Sequence, residues 1–118
     1  MPLKGAGRIR IVRMKDYRRI AEAFARGLKA KYGDRIQRIL LFGSVARGEY
    51  REDSDVDLLV VTPEQNLDLQ WDVARDATDL LLRDGVLASV LVVTAEQWEK
   101  ARDTLFGRRV ASEGLALA

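Results

Sequence analysis

The sequence predicts an α+β domain, a mixed α/β arrangement in which helices cover a small mixed sheet of three to four strands. Three observations carry that prediction. The apolar runs Ile36–Phe42, Val56–Val61 and Val86–Val93 have strand length and are set off by glycine, proline or charged turns. Residues 15–32 and 66–84 repeat apolar side chains at the spacing of an amphipathic helix. The segments follow the order α-β-β-α-β-α, which suits a mixed sheet covered by helices better than a doubly wound fold. With 118 residues, a single domain spanning 1–118 is expected, long enough to bury one modest core.

Residues 1–13 are basic, contain Gly5 and Gly7, and alternate through Arg8-Ile9-Arg10-Ile11, the pattern of an edge strand or a loose arm. The first helix places Tyr17, Ile20, Ala21, Phe24, Ala25, Leu28 and Tyr32 on one stripe and stops at Gly33-Asp34. The unbroken Ile39-Leu40-Leu41-Phe42 reads as a strand covered on both faces. After it Ser44 is expected to cap a short helical turn over Val45-Ala46-Arg47, and residues 48–54 form a charged loop. Val56–Val61 is the second buried strand, ended by Thr62-Pro63. In the second long helix Leu67, Trp71, Ala74, Thr78 and Leu81 form the stripe, widened by Val73, Ala77 and Leu80, and Gly85 ends it. Val86–Val93 is the third strand. Thr94-Ala95-Glu96-Gln97 has the pattern of a capping box, so a third helix starts there, carries Trp98, Ala101 and Leu105 inward, continues to about Glu113 and frays at Gly114. The helical registers of Trp71 and Trp98 make both core residues rather than base-stacking platforms.

Composition narrows the chemistry. The chain has no cysteine and no histidine, which removes disulfides, thiolate and imidazole metal sites, and both of those nucleophiles and bases. Catalysis would have to run on carboxylates, hydroxyls, lysine, arginine and a hard cation such as Mg²⁺ or Mn²⁺. No apolar stretch approaches the ~20 residues a membrane span requires, and the amino-terminal segment has no apolar signal region, so a cytoplasmic protein is expected. The net charge of +2 hides an asymmetry: residues 1–51 carry 14 Lys/Arg and 4 Asp/Glu, whereas residues 52–118 carry 6 and 14. Either basic and acidic elements pack side by side, or the basic part attracts a nucleotide, a nucleic acid or an acidic partner. No basic-aromatic interleaving marks direct nucleic-acid binding.

The chemistry concentrates in residues 40–61. A Gly43-Ser44 turn after a strand offers backbone N–H groups to phosphate oxygens. Asp55 and Asp57, at i and i+2 around a strand start, face the same way. Two such carboxylates repel unless a cation lies between them, and a lone charge buried in the run after Asp57 costs several kcal/mol. A cation bridging the pair to bound phosphates resolves both costs. Arg47 is one turn past Gly-Ser, where it reaches a phosphate or stays a solvated loop residue.

Gly43-Ser44, ten further residues and Asp55-Val56-Asp57 followed by apolar residues resemble the signature of the DNA polymerase beta-like nucleotidyltransferase superfamily. Ala46-Arg47-Gly48 and Ser54 match it as well, and the short length and basic first helix resemble its minimal nucleotidyltransferases (MNT). The resemblance implies a nucleotidyltransferase fold, a nucleoside triphosphate held by Gly43 and Ser44, and Asp55 and Asp57 as catalytic metal ligands, usually for Mg²⁺. Members transfer NMP to a hydroxyl of an antibiotic, a protein or a nucleic acid. Minimal members are typically antitoxins encoded beside a HEPN-domain ribonuclease toxin, and some AMPylate that toxin on tyrosine.

The chain departs from the superfamily in one respect. A third carboxylate normally lies on the strand after the second helix, but Val86–Val93 has no acidic residue and only Ser89 is polar. Glu49, Glu52 and Asp53 are the loop carboxylates available to replace it. The expectation is a Mg²⁺-dependent nucleotidyltransferase moving AMP from ATP to a hydroxyl of a HEPN-toxin partner. The alternative is a catalytically weakened, nucleotide-binding antitoxin that neutralises its toxin by stoichiometric binding.

Overall fold

The computed structural model describes residues 15–118. The edge strand or arm expected over 1–13 lies outside them. In order, the elements are α1 (Tyr17–Tyr32), a 3₁₀ turn (Gly33–Arg35), β1 (Arg38–Phe42), α2 (Gly43–Arg47), β2 (Val56–Thr62), α3 (Leu67–Asp84), β3 (Ala88–Thr94), α4 (Ala95–Ala101), α5 (Leu105–Glu113) and β4 (Leu115–Ala116). The strands form one mixed sheet in the order β3-β2-β1-β4. β1 runs antiparallel to β2 and to β4, while β2 and β3 are parallel. A parallel pair needs a long crossover, and α3 supplies it.

Alternation along the central strands builds two cores. Ile39, Leu41, Val56, Leu58 and Val60 point to one face, where they meet Tyr17, Ala21, Ala25 and Leu28 of α1 and Leu69, Val73 and Leu80 of α3. Leu40, Leu59 and Val61 point to the other face, against Trp98 of α4 and Val110 of α5. Covering on both faces is why these strands read as unbroken apolar runs. The α1 stripe is buried as its spacing predicts. Asp16 caps that helix by accepting from the Arg19 N–H. At its other end Lys29 donates to the Gly33 and Ile36 carbonyls and ties the helix to the start of β1.

The charge asymmetry is partly neutralised between helices. Lys31 of α1 bonds Asp76 of α3 at 2.8 Å, and the Tyr32 hydroxyl donates to the same carboxylate.

Four expectations are corrected. Ser44 caps nothing, because α2 begins at Gly43 and Phe42 occupies the N-cap position without a side-chain bond. On α3 the stripe Leu67, Trp71, Ala74, Thr78 and Leu81 faces outward, and Trp71 is 72% exposed. Two apolar stripes lie side by side on this helix, and it is Leu69, Val73 and Leu80 that fit the space over α1 and the sheet. The third helix is two. The Thr94–Gln97 capping box starts α4, Thr104 caps α5 by accepting from the Gly107 N–H, and Leu105 is exposed between them. Gly107 permits that corner, since a Cβ there would lie 1.8 Å from the Ala101 carbonyl oxygen. Finally, the segment past Gly114 does not fray but adds β4 to the sheet. Trp98, by contrast, is core as expected. Among the described residues no helix is long and apolar enough to cross a membrane.

Candidate functional site

The candidate residues converge where β1 ends and β2 begins. Antiparallel pairing sets Phe42 opposite Asp57, so the turn that leaves β1 at Gly43 stands beside the first carboxylate of β2. Gly43 has φ +78°, and a Cβ there would fall 2.2 Å from Asp57 Oδ2. Glycine is therefore required twice over, for the left-handed backbone and for room to seat the carboxylate. The loop before β2 is tightened by Ser54, whose hydroxyl accepts from the Arg51 N–H at 2.6 Å while its own N–H donates to the Arg51 carbonyl. The Tyr17 hydroxyl, from the core face, donates to the Glu52 carbonyl of the same loop.

Alternation puts Asp57 on the Leu59 and Val61 face, the one covered by α4 and α5. Asp57 is half-buried and Asp55, at the mouth of the strand, is exposed. Burial first, and the neighbouring Asp55 charge second, push the Asp57 carboxyl above the ordinary carboxylate range, and Arg47 pulls it partly back. A site that holds a carboxylate this way gains from a cation. Ser44 lies in the first turn of α2, half-buried, directly after the glycine.

Arg47 ends α2 and is neither free nor simply solvated. Its Nε donates to Glu49 Oε1 at 2.9 Å and its Nη1 to Glu113 Oε1 at 3.0 Å. The bond to Glu49, aided by both carboxylate charges, raises its already high pKa. Glu113 also accepts from the Gly43 N–H at 3.2 Å. No local motif marks Glu113, which lies 70 positions from Gly43 along the chain.

No carboxylate joins the pair from β3. Ser89 is the register partner of Asp57, and it is exposed. Among the described residues no group of three acidic side chains is placed to share a metal ion. Glu49 is held by Arg47, and among the described residues neither Glu52 nor Asp53 forms a three-carboxylate group with Asp55 and Asp57. Two carboxylates still fit Mg²⁺, which usually binds through one or two of them, with water and substrate phosphates completing its shell.

Comparison with known proteins shows the family and the fold. A family model for a nucleotidyltransferase domain matches residues 21–111. Over 95 residues the chain is 42% identical to a proposed protein adenylyltransferase of Methanocaldococcus jannaschii, covering 80% of this chain and 90% of that protein. A second such protein of that organism is 32% identical over 74 residues, or 62% of this chain and 75% of its own. The solved structure of a proposed minimal nucleotidyltransferase superposes with a TM-score of 0.59 at 29% identity, covering 86% of this chain and 95% of that one. A chain from a complex of a tri-AMPylated Shewanella oneidensis HEPN toxin with its MNT antitoxin shares the fold, with a TM-score of 0.54 at 18% identity over 85% of this chain and 71% of that one. The match of the family model over most of the chain, reinforced by the identity to the first relative, makes this protein a member of the nucleotidyltransferase-domain family, with the mixed α/β fold of that family.

Proposed function

We propose that the protein transfers AMP from ATP to a hydroxyl of a partner protein and serves as the antitoxin of a HEPN-type toxin. The observation that carries this reading is the seating of the Asp57 carboxylate against Gly43, which joins the acidic pair to the glycine-serine turn. The protein adenylyltransferase names of the M. jannaschii relatives support adenylyl as the group moved. The HEPN-bound fold neighbour supports the class of partner.

In this reading Gly43, Ser44 and Arg47 hold the triphosphate, and Asp55 and Asp57 hold Mg²⁺ or Mn²⁺. The cation, when bound, neutralises charge on the phosphates and on the departing pyrophosphate. The turn and the strand fix the α-phosphorus in front of the exposed mouth of β2. There the acceptor oxygen bonds to phosphorus as the bond to pyrophosphate breaks. Asp55, the exposed member of the pair, is the carboxylate available for the hydroxyl proton.

The test is incubation of the full chain with labelled ATP, Mg²⁺ and the product of the neighbouring gene. Label is expected on that product, and Asp57→Ala is expected to lower it on the order of 100-fold or more. Absence of label, or equal label with the variant, rejects the reading.

A second reading, neutralisation of the toxin by binding alone, is favoured by one observation, the exposed Ser89 opposite Asp57 where a third carboxylate would complete the site. Neutralisation that persists after both Asp55 and Asp57 are replaced would select it.

A further inference from the structure

Glu113 lies on the donors that the proposed function assigns to phosphate. Its Oε1 accepts from the Gly43 N–H at 3.2 Å and from Arg47 Nη1 at 3.0 Å. Its side chain is 18% exposed, whereas that of Glu49, on the other edge of the same guanidinium, is 67% exposed. The carboxylate is also delivered by a fixed frame. Val110, one turn earlier on α5, is fully buried against the sheet. Gly114 follows, its N–H donating to the Val110 carbonyl at 2.7 Å, in a space so tight that a Cβ would lie 2.4 Å from that oxygen. Leu115 and Ala116 then pair with Leu41 and Leu40 of β1, the strand that ends at the Gly43 turn. The helix, the glycine and the short strand together hold Glu113 over the turn.

We infer that Glu113 is a built-in anionic occupant of the Gly43–Arg47 cradle, which an incoming nucleoside triphosphate displaces. This rests on the phosphate-binding reading given under Proposed function. A carboxylate and a phosphate seek the same backbone N–H and guanidinium donors, and charge-assisted bonds to either are strong. The two anions cannot share one amide at bonding distance without repulsion, and Asp55 and Asp57 add further negative charge beside them. Glu113 therefore keeps the cradle in binding geometry while the nucleotide is absent and lowers the affinity with which the nucleotide enters. It is an affinity determinant rather than a catalytic residue.

The experiment measures binding of a fluorescent ATP analogue with Mg²⁺ to the full chain and to Glu113→Gln, Glu49→Gln and Asp57→Ala. Glu113→Gln should bind roughly two- to fivefold more tightly, the upper part of the range a partly exposed charged contact commands. Glu49→Gln should change affinity by less than about twofold, because the Gly43 N–H stays occupied. Equal or weaker binding by Glu113→Gln overturns the inference, weaker binding marking Glu113 as a ligand or a brace. An equal gain from Glu49→Gln also overturns it, as a general charge effect. Glu113→Asp, which keeps the charge on a shorter arm, should bind more tightly than the parent too, and guards against a folding defect in the glutamine variant. If Asp57→Ala abolishes binding while Glu113→Gln leaves it unchanged, the site reading stands and the inference alone falls. If no protein binds the analogue, both fall.

Discussion

β2 and β3 are adjacent, parallel and of equal length, yet they are built for different work. β2 is buried on both faces along its length and admits one charge, Asp57, at its start. β3 is the outer strand of the sheet among the described residues, and its exposure alternates over its first five residues. At the matching register position it offers Ser89, small, neutral and exposed. Polar chemistry is thus concentrated on the central strand, where the fold can fix a carboxylate. At the sheet edge the fold supplies nothing to hold one.

The largest effect should come from breaking the central partnership. Gly43→Ala must force a side chain into the Asp57 carboxylate at a left-handed backbone position. We expect a loss of about 1–3 kcal/mol in stability by chemical denaturation, with nucleotide binding weakened at least ~10-fold by titration. Wild-type binding in that variant would mean that the turn is not the nucleotide seat.

A smaller effect should come from giving the edge strand what it lacks. Ser89→Asp sets a third carboxylate in register with Asp57. Mn²⁺ affinity, read by calorimetry with nucleotide present, should rise by roughly two- to fivefold, the yield of one added exposed charge contact. No change would show that β3 stands too far from the cation for any side chain to contribute.

The smallest effect concerns the cost of Asp57 without a cation. Because burial and Asp55 raise its carboxyl above the ordinary range, the ionised form is less stable in the fold than in the unfolded chain. Asp57→Asn should therefore raise the melting temperature in chelator at neutral pH, on the order of a few degrees. The gain should vanish as pH falls below the ordinary carboxylate range, where Asp57 is protonated in both states. With a divalent cation present, the sign should reverse.

The same contrast explains what could be read from the residues alone. The placement of Gly43 beside Asp57 is legible because both flank the paired strands β1 and β2, and a charge beside a doubly buried strand needs a reason. The inward stripe of α1 was legible because its opposite face is charged. α3 was not, since apolar residues occupy more than one stripe and only the packed neighbours decide between Val73 and Trp71. The corner between α4 and α5 depends on Gly107 fitting under Ala101, a contact that periodicity cannot show. Glu113 meets Gly43 only through the assembled sheet, so no window of sequence contains the pair.

β4 is two residues long, yet it determines when β1 becomes an interior strand. Beyond the ladder partners, the Leu117 N–H donates to the Ile39 carbonyl and the Ile39 N–H donates to the Ala118 carbonyl. During synthesis β1 can pair with β2 once residue 62 has emerged, but its other edge stays open until residues 115–118 follow. For that interval a strand that is apolar after Arg38 presents unpaired amides and carbonyls, the kind of edge that recruits other chains. The nascent protein thus passes through its most aggregation-prone stage just before its site is completed, and truncation at residue 114 should cost yield before it costs chemistry.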